Sequence, residues 1–198
     1  IEYVNNSTTP LTFIYFHLWP NAYKNNQTAL AKQLLTNGVT KMYYAKSEDL
    51  GFIDSLNFRV DDKLVKWEFD KEHIDICKLI LNQPLNPNDT IIISTPFYVK
   101  LPSANISRLG HINQAYAITQ WYPKPAVFDK QGWHQMPYLN QGEFFSEFGK
   151  FEVDITLPKN YVLAATGDRL NEDEEENWLN ENVEKTKQMI ANQKFETD

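Results

Sequence analysis

The stretch Thr90-Ile-Ile-Ile-Ser-Thr-Pro-Phe-Tyr-Val-Lys-Leu101 is the strongest indicator of the fold in this chain. β-Branched and aromatic residues dominate it, and such residues favour extended strands. The segment before it, residues 84–89, concentrates proline, asparagine and aspartate, which favour a turn. The stretch therefore predicts a strand that begins after a turn and belongs to a β-rich core.

Similar short segments lie on both sides of this stretch. In Phe151-Glu-Val-Asp-Ile-Thr-Leu157 apolar and polar residues alternate strictly, as in a strand with one buried face. Short strands about ten residues apart, with turn residues between them, predict a β-sandwich or an open stack of β-sheets. The other predicted strand regions are residues 1–19 (two strands around a turn), 52–60, 64–69 (after a break at Asp61-Asp62), 74–81 and 161–165.

Two helices are predicted. Thr28 is a suitable N-cap for a short helix that ends before Asn37-Gly38. After Gly167 the composition changes to a run of acids followed by lysines, an order that suits the helix dipole. We therefore expect a mainly β domain over residues 1–168 and an acidic helical tail or insertion over residues 169–198. The few apolar residues of this tail predict loose attachment.

Composition excludes several classes of function. The 198 residues include 26 acidic and 19 basic side chains, and the formal charge of −7 disfavours binding to nucleic acid. Cys77, the one cysteine, cannot form an internal disulfide, and its apolar surroundings predict a buried structural thiol. The most apolar runs, residues 11–19 and 91–99, are shorter than the roughly 20 residues of a membrane-spanning helix.

The sequence contains no motif for catalysis or metal binding. There is no HExxH helix, phosphate-binding loop or nucleophile elbow. The histidines are too far apart in the sequence to form a local metal site, so we expect no catalytic residue and no metal ligand in this chain. They are His17, His73, His111 and His134.

Residues 108–149 form the most unusual segment. They are rich in aromatic and amide side chains, including Trp121 and Trp133, and carry several prolines. Such a composition suits a rigid, partly buried surface that contacts a ligand or a second domain. It also suits an irregular, well-packed connection between sheets, and the sequence favours neither alternative.

Several motifs, in this segment and outside it, resemble a known family. Ala117-Ile-Thr-Gln-Trp-Tyr-Pro-Lys-Pro-Ala-Val-Phe-Asp129 resembles the TQ-containing motif of zinc aminopeptidases of the membrane alanyl aminopeptidase and leukotriene hydrolase family (gluzincins), in the bacterial branch found in Bacteroidetes-like genomes. The resemblance covers about residues 1–170. Further motifs that resemble this branch are Tyr15-Phe-His-Leu-Trp-Pro-Asn-Ala-Tyr-Lys24, Ser107-Arg-Leu-Gly-His111, Trp133-His-Gln-Met-Pro-Tyr138, Gly142-Glu-Phe-Phe-Ser-Glu-Phe-Gly149 and Asp154-Ile-Thr-Leu-Pro-Lys-Asn-Tyr-Val162.

The resemblance implies a saddle-like N-terminal β domain without its first strands. In this family such a domain precedes a catalytic domain that carries the HExxH zinc site and removes N-terminal residues from peptides. The implied partners are that catalytic domain, contacted through residues 118–140, and a peptide substrate. The chain itself would hold no cofactor and be inactive alone, and the parent protein would be exported to the periplasm or cell envelope.

The resemblance also implies two substrate-binding residues. Tyr122 lies two places after the glutamine of the TQ motif, where the family's N-terminal domain contributes a side chain that binds the substrate's free amine. Relatives carry Gln or Glu there, whereas a tyrosine offers a hydroxyl acceptor and a ring for a cation–π contact. Gln120 is the second candidate, as a packing and hydrogen-bonding residue at the domain seam.

Two other functions stay open. One is a free-standing β-sandwich module whose aromatic segment binds peptide or carbohydrate. The other is a catalytically dead member of the same family that serves an interaction. The reading frame beyond Asp198 would discriminate them, since only the enzyme requires an intact HExxH stretch followed by a glutamate.

Overall fold

A computed structural model describes residues 1–142, 144–170 and 172–192. The chain divides into two compact units, Ile1–Gly149 and Lys150–Asp198. The first consists mainly of short antiparallel strands with one short helix, and the second contains a longer helix. The predicted fold class, mainly β, is confirmed. The predicted domain boundary between residues 168 and 169 stays a prediction.

Of the fourteen strands among the described residues, nine lie in the first 101 residues and five lie between residues 110 and 133. They are β1 (Glu2–Val4), β2 (Leu11–His17), β3 (Phe52–Asp54), β4 (Arg59–Val60), β5 (Lys63–Leu64), β6 (Lys66–Phe69), β7 (Ile76–Leu85), β8 (Thr90–Ser94), β9 (Tyr98–Lys100), β10 (Gly110–Ile112), β11 (Ala115–Ala117), β12 (Lys124–Pro125), β13 (Phe128–Asp129) and β14 (Gly132–Trp133). The helices are α1 (Ala29–Thr36) and α2 (Glu172–Asn192), and a 3-10 helix covers Trp19–Tyr23.

Two four-stranded antiparallel sheets form the frame of the first unit. Their strand orders are β1-β8-β4-β5 and β12-β2-β7-β6. In the second sheet Ile14 lies opposite Leu79 and Phe16 lies opposite Cys77, and all four side chains are buried. The main core combines these residues with Ile93 of the first sheet, which lies in the stretch that predicted a β-rich core. The burial of Cys77 confirms the prediction of a structural thiol.

A second core lies around α1. The Thr28 hydroxyl accepts a 3.3 Å hydrogen bond from the N–H of Ala31, which confirms the predicted N-cap. Gly38, at φ +77°, follows the helix in the left-handed conformation that glycine adopts most readily. The apolar face of α1 packs with Trp19 and Tyr23 of the 3-10 helix. Residues of this second core also line a cavity.

Two predicted boundaries in the central region are wrong. The stretch 90–101 forms two strands, β8 and β9, which belong to different sheets. Pro96 lies at the break, because a proline has no N–H to donate to a ladder. The predicted turn 84–89 is shorter, since β7 continues to Leu85, which lies opposite Leu11 and is buried. β6 pairs with β7 only as far as Ile80, so Pro84 interrupts no hydrogen bond to β6.

The break at Asp61-Asp62 is confirmed as a two-residue hairpin turn. Both residues have positive φ, 46° and 63°, between the antiparallel strands β4 and β5. Such turns match the right-handed twist of the flanking strands, and aspartate tolerates the left-handed conformation better than most residues. The sequence pattern at this point therefore predicts the position of the break correctly, and the structure adds the conformation of the turn.

The predicted strands at residues 151–157 and 161–165 are wrong. The structure assigns no strand or helix to residues 150–170. The apolar members of the alternating row are exposed instead of buried: Phe151, Val153, Ile155 and Leu157. Alternation specifies a face, but a strand also needs a neighbouring strand and a surface that covers this face.

The acidic helix is confirmed over Glu172–Asn192. On it Glu184 and Lys187 form an ion pair at 2.6 Å, and the apolar side chains of Trp178, Leu179 and Val183 are exposed. Residues 193–198 of the predicted tail lie outside the described residues. No helix in the described part of the chain has the length and apolar character needed to span a membrane.

Candidate functional site

The segment that carries the sequence motif lies at the edge of the second sheet. β12 is the outermost strand there, with Lys124 opposite His17 and Pro125 opposite Phe16. The N–H of Ala126 continues the pairing with a 2.8 Å hydrogen bond to the carbonyl of Tyr15. The prolines at 123 and 125 restrict this segment to an edge, because each lacks a donor for a further ladder.

Gln120 has an unusual backbone conformation within this segment. Its φ is +52°, in the left-handed region that non-glycine residues seldom adopt. Its side-chain oxygen accepts a 3.4 Å hydrogen bond from Nζ of Lys124. Strained residues of this kind persist where the surroundings hold them in place, and they concentrate at functional sites.

Tyr122 is half-buried, and neighbouring rings hold it. Its ring meets Trp121 edge-to-face with 5.5 Å between centroids, and Trp121 in turn lies 5.7 Å from Phe97. Burial raises the pKa of the Tyr122 hydroxyl, so the side chain stays a neutral phenol at physiological pH. The ring is thus fixed on one side and retains solvent-accessible area.

Lys124 is the central charged group of the segment, and the sequence analysis missed it. Its Nζ lies 3.8 Å from the centroid of the Trp19 ring and 2.7 Å from Oγ of Ser146. Burial lowers the pKa of Lys124 to about 8. In the sequence Lys124 lies between two prolines, which fix its backbone. No local sequence pattern, however, predicts its contact with Trp19.

A buried histidine lies beneath this lysine. The His17 ring stacks on Trp19 with 4.7 Å between centroids, and its Nε2 accepts a 3.2 Å hydrogen bond from the N–H of Met136. Burial chiefly, and then the charge of Lys124, lowers the pKa of His17 to about 4, while a backbone hydrogen bond with His134 acts in the opposite direction. His17 is therefore neutral at pH 7 and serves as an acceptor that holds residues 134–136 in place.

The two predicted residues, Gln120 and Tyr122, lie in one segment with Lys124, and the described residues place no catalytic constellation around them. Among the described residues no three histidine, cysteine, aspartate or glutamate side chains lie close enough together to hold a metal ion. The chemistry that these side chains offer is hydrogen bonding, cation–π contact and apolar packing. The segment is thus equipped to bind and orient a partner or ligand.

Comparisons with protein-family models, with curated proteins and with solved structures find no significant match to this chain.

Proposed function

We propose that this chain is the non-catalytic N-terminal β domain of a zinc aminopeptidase that removes N-terminal residues from peptides. In this proposal residues 118–140 contact the enzyme's catalytic domain and help to shape the substrate cleft. The described residues contain no ligand set that fits zinc, so the zinc chemistry belongs to the other domain and no step of it is attributed to this chain.

The observation that carries the proposal is the position of Tyr122. The resemblance assigns amine recognition to this position, and the side chain lies two residues before the edge strand β12, half-buried and packed on Trp121. A neutral phenol oxygen accepts a hydrogen bond from a substrate ammonium, and its ring face attracts the same charge. Fixed aromatic groups of this kind suit the recognition of a small cationic terminus, because little side-chain freedom is lost on binding.

The roles of Gln120 and Lys124 in this proposal are positional. Gln120 directs its side-chain oxygen at Lys124, and Lys124 is anchored on the face of Trp19 and on Ser146. These contacts hold the backbone on both sides of Tyr122. The side-chain oxygen of Gln120 lies against Nζ of Lys124, whose positive charge would repel a substrate ammonium. We therefore expect Tyr122, and not Gln120, to contact the amine.

The test begins with the reading frame beyond Asp198. The proposal requires an intact HExxH stretch followed by a distal glutamate. A frame that ends without one would favour the free-standing binding module, and a degenerate HExxH would favour the catalytically dead member. The purified 198-residue chain should not hydrolyse aminoacyl-nitroanilides, with or without added zinc.

In the full-length protein, Tyr122→Ala should lower kcat/KM for small aminoacyl substrates by about 1–3 kcal/mol of transition-state stabilisation. Tyr122→Phe removes the hydroxyl but keeps the ring, so the decrease in kcat/KM should be smaller. Tyr116→Ala, which alters an exposed tyrosine on β11, is the matched control and should leave kcat/KM unchanged. Unchanged kcat/KM in Tyr122→Ala would refute the assigned site, even if the downstream frame encodes the enzyme.

A further inference from the structure

The first unit contains a cavity of about 560 Å³ that the proposed function does not use. Its wall combines residues of α1, of the loop before β10 and of the segment after β14. Neither Gln120 nor Tyr122 lines it. Cavities of this volume are typical of binding sites for small organic molecules.

The described residues that line the cavity carry positive charge, although the protein as a whole is acidic. Lys41 and Arg108 are the charged side chains among the described lining residues, whereas the whole chain carries a formal charge of −7. Glu143 lies outside the described residues. A local excess of positive charge attracts anions and repels cations. The guanidinium of an arginine also matches the two oxygens of a carboxylate with parallel hydrogen bonds.

A pair of hydroxyls lies in the same wall. Oη of the buried Tyr23 and Oγ of Ser107 are 2.8 Å apart. The hydroxyl of Tyr138 is a further hydrogen-bond partner of Tyr23. The three hydroxyls thus form two hydrogen bonds among themselves, which leaves one proton available for a ligand acceptor. Burial raises the pKa of Tyr23 far above its ordinary value, and the charge of Arg108 partly opposes this effect. The guanidinium therefore acts on the same region of the cavity as the hydroxyl pair.

Aromatic rings form the apolar part of the cavity. Tyr138 lies 5.2 Å from Phe144 and 5.5 Å from Tyr23 between ring centroids. The guanidinium carbon of Arg108 lies 5.9 Å from the centroid of Phe144. Cationic and apolar groups thus lie next to each other, an arrangement that suits a ligand with an anionic end and an apolar body.

The wall is fixed before any ligand binds. Oε1 of Gln33 accepts hydrogen bonds from the N–H groups of Asn140 at 2.8 Å and Gln141 at 2.9 Å, which ties this rim to α1. On the opposite side, a Cβ at Gly110 would lie 2.9 Å from Cα of Ala104, so these backbones are in close contact. A preformed wall lowers the entropic cost of binding.

We propose that this cavity binds a small organic carboxylate whose apolar body packs against Tyr138 and Phe144, while its carboxylate binds Arg108 and the Tyr23–Ser107 hydroxyl pair. Lys41 adds long-range attraction at the rim. Such a carboxylate belongs either to a free aromatic acid or to the C-terminal residue of a peptide. The two share the recognised chemistry and differ in the amide next to the carboxylate.

The test is calorimetric titration of the 198-residue chain with two probes, 3-phenylpropionate for a free acid and N-acetylphenylalanine for a peptide C-terminus. N-Acetylphenylalanine amide, which lacks the charge, is the matched control ligand. We expect at least one acid to bind at least tenfold more tightly than the amide. The tighter of the two acids identifies the source of the carboxylate. Absence of binding by both acids, or equal binding of the amide, would overturn the proposal.

Variants locate the site. Arg108→Gln should weaken binding of the acid at least tenfold, and Ser107→Ala should weaken it about threefold. Lys63→Gln removes an exposed cation on the β4–β5 hairpin and should leave affinity unchanged. Because Arg108 is exposed, its variant should fold normally, and an unchanged melting temperature verifies this. Equal affinities of Arg108→Gln and the unaltered chain would refute the cavity as the binding site.

Discussion

The buried carboxylate of Asp75 accepts a 2.7 Å hydrogen bond from the backbone N–H of Tyr138, 63 positions later in the chain. Asp75 immediately precedes β7 in the second sheet, and Tyr138 belongs to the core around α1. The bond therefore ties the aromatic segment to the sheet at a point that water does not reach. Burial raises the pKa of Asp75, although hydrogen bonds from backbone N–H groups act in the opposite direction.

Substitution of Asp75 tests whether this bond stabilises the fold. Asp75→Ala leaves the Tyr138 N–H buried without an acceptor and should lower the free energy of unfolding by about 2–3 kcal/mol. Asp75→Asn retains an oxygen acceptor and should lower it by less. Urea unfolding at pH 7 measures both. Equal losses in the two variants would mean that the negative charge of the carboxylate, which both variants lack, and not the oxygen acceptor, is what matters.

The same pair has a defined pH dependence. An acid whose pKa is higher in the folded state than in the unfolded state stabilises the fold at low pH and loses this contribution as the pH rises through the folded pKa. The stability of the unaltered protein relative to Asp75→Asn should therefore decrease as the pH rises above the ordinary value of 3.8. If the stability of the unaltered protein relative to Asp75→Asn increased over this pH range, the result would contradict the raised pKa of Asp75.

Acid should destabilise the fold through His17. Its pKa is about 4 in the folded protein and 6.5 when unperturbed, so the unfolded state binds the proton first. Stability is then complete above pH 6.5 and falls as the pH decreases towards 4, by about 3 kcal/mol. His17→Gln removes the titrating group, retains an acceptor for the N–H of Met136, and should flatten this part of the pH profile.

The matched control for His17 is His111→Gln, which alters a histidine of the β10–β11 hairpin. It should retain the decrease between pH 6.5 and 4. Thermal unfolding at half-unit pH steps distinguishes the two variants. A His17→Gln profile as steep as that of the unaltered protein would show that other groups cause the acid sensitivity.

Local sequence patterns predicted much of the fold and part of the candidate site. The N-cap at Thr28 and the turn at Asp61-Asp62 depend on neighbouring residues alone, and both are confirmed. The prolines on either side of Lys124 restrict their segment to the edge of a sheet, because a missing N–H acts at its own position. Such features need no knowledge of the rest of the chain.

The features that the sequence did not predict depend on distant contacts. Lys124 lies on Trp19, more than 100 positions away, and nothing near either residue indicates the other. The cavity that contains Arg108 likewise combines three separate parts of the chain. The row that begins at Phe151 has the alternation of a strand but lies outside every sheet of the described residues, since alternation cannot supply a neighbouring strand.

Limited proteolysis tests the order of the region after Gly149. Residues 150–170 contain no strand or helix, and Lys150, Lys159 and Arg169 are exposed there. Trypsin requires a locally extended backbone, so the first cuts should occur at these three positions and leave a resistant product that ends at Lys150. Mass spectrometry of the early products identifies the sites.

Lys63 is the internal control, because its side chain is also exposed but its backbone is paired in the β4–β5 hairpin. If side-chain exposure alone determined cleavage, Lys63 would be cut as fast as Lys159, whereas we expect it to be at least tenfold slower. If trypsin cut first at Lys63, the result would contradict an ordered β4–β5 hairpin in the first unit.

In a full-length enzyme of the proposed kind, a second domain that covers the apolar row from Phe151 to Leu157 should protect Lys150 and Lys159. Equal cleavage of the two sites in the long and short proteins would count against such a contact.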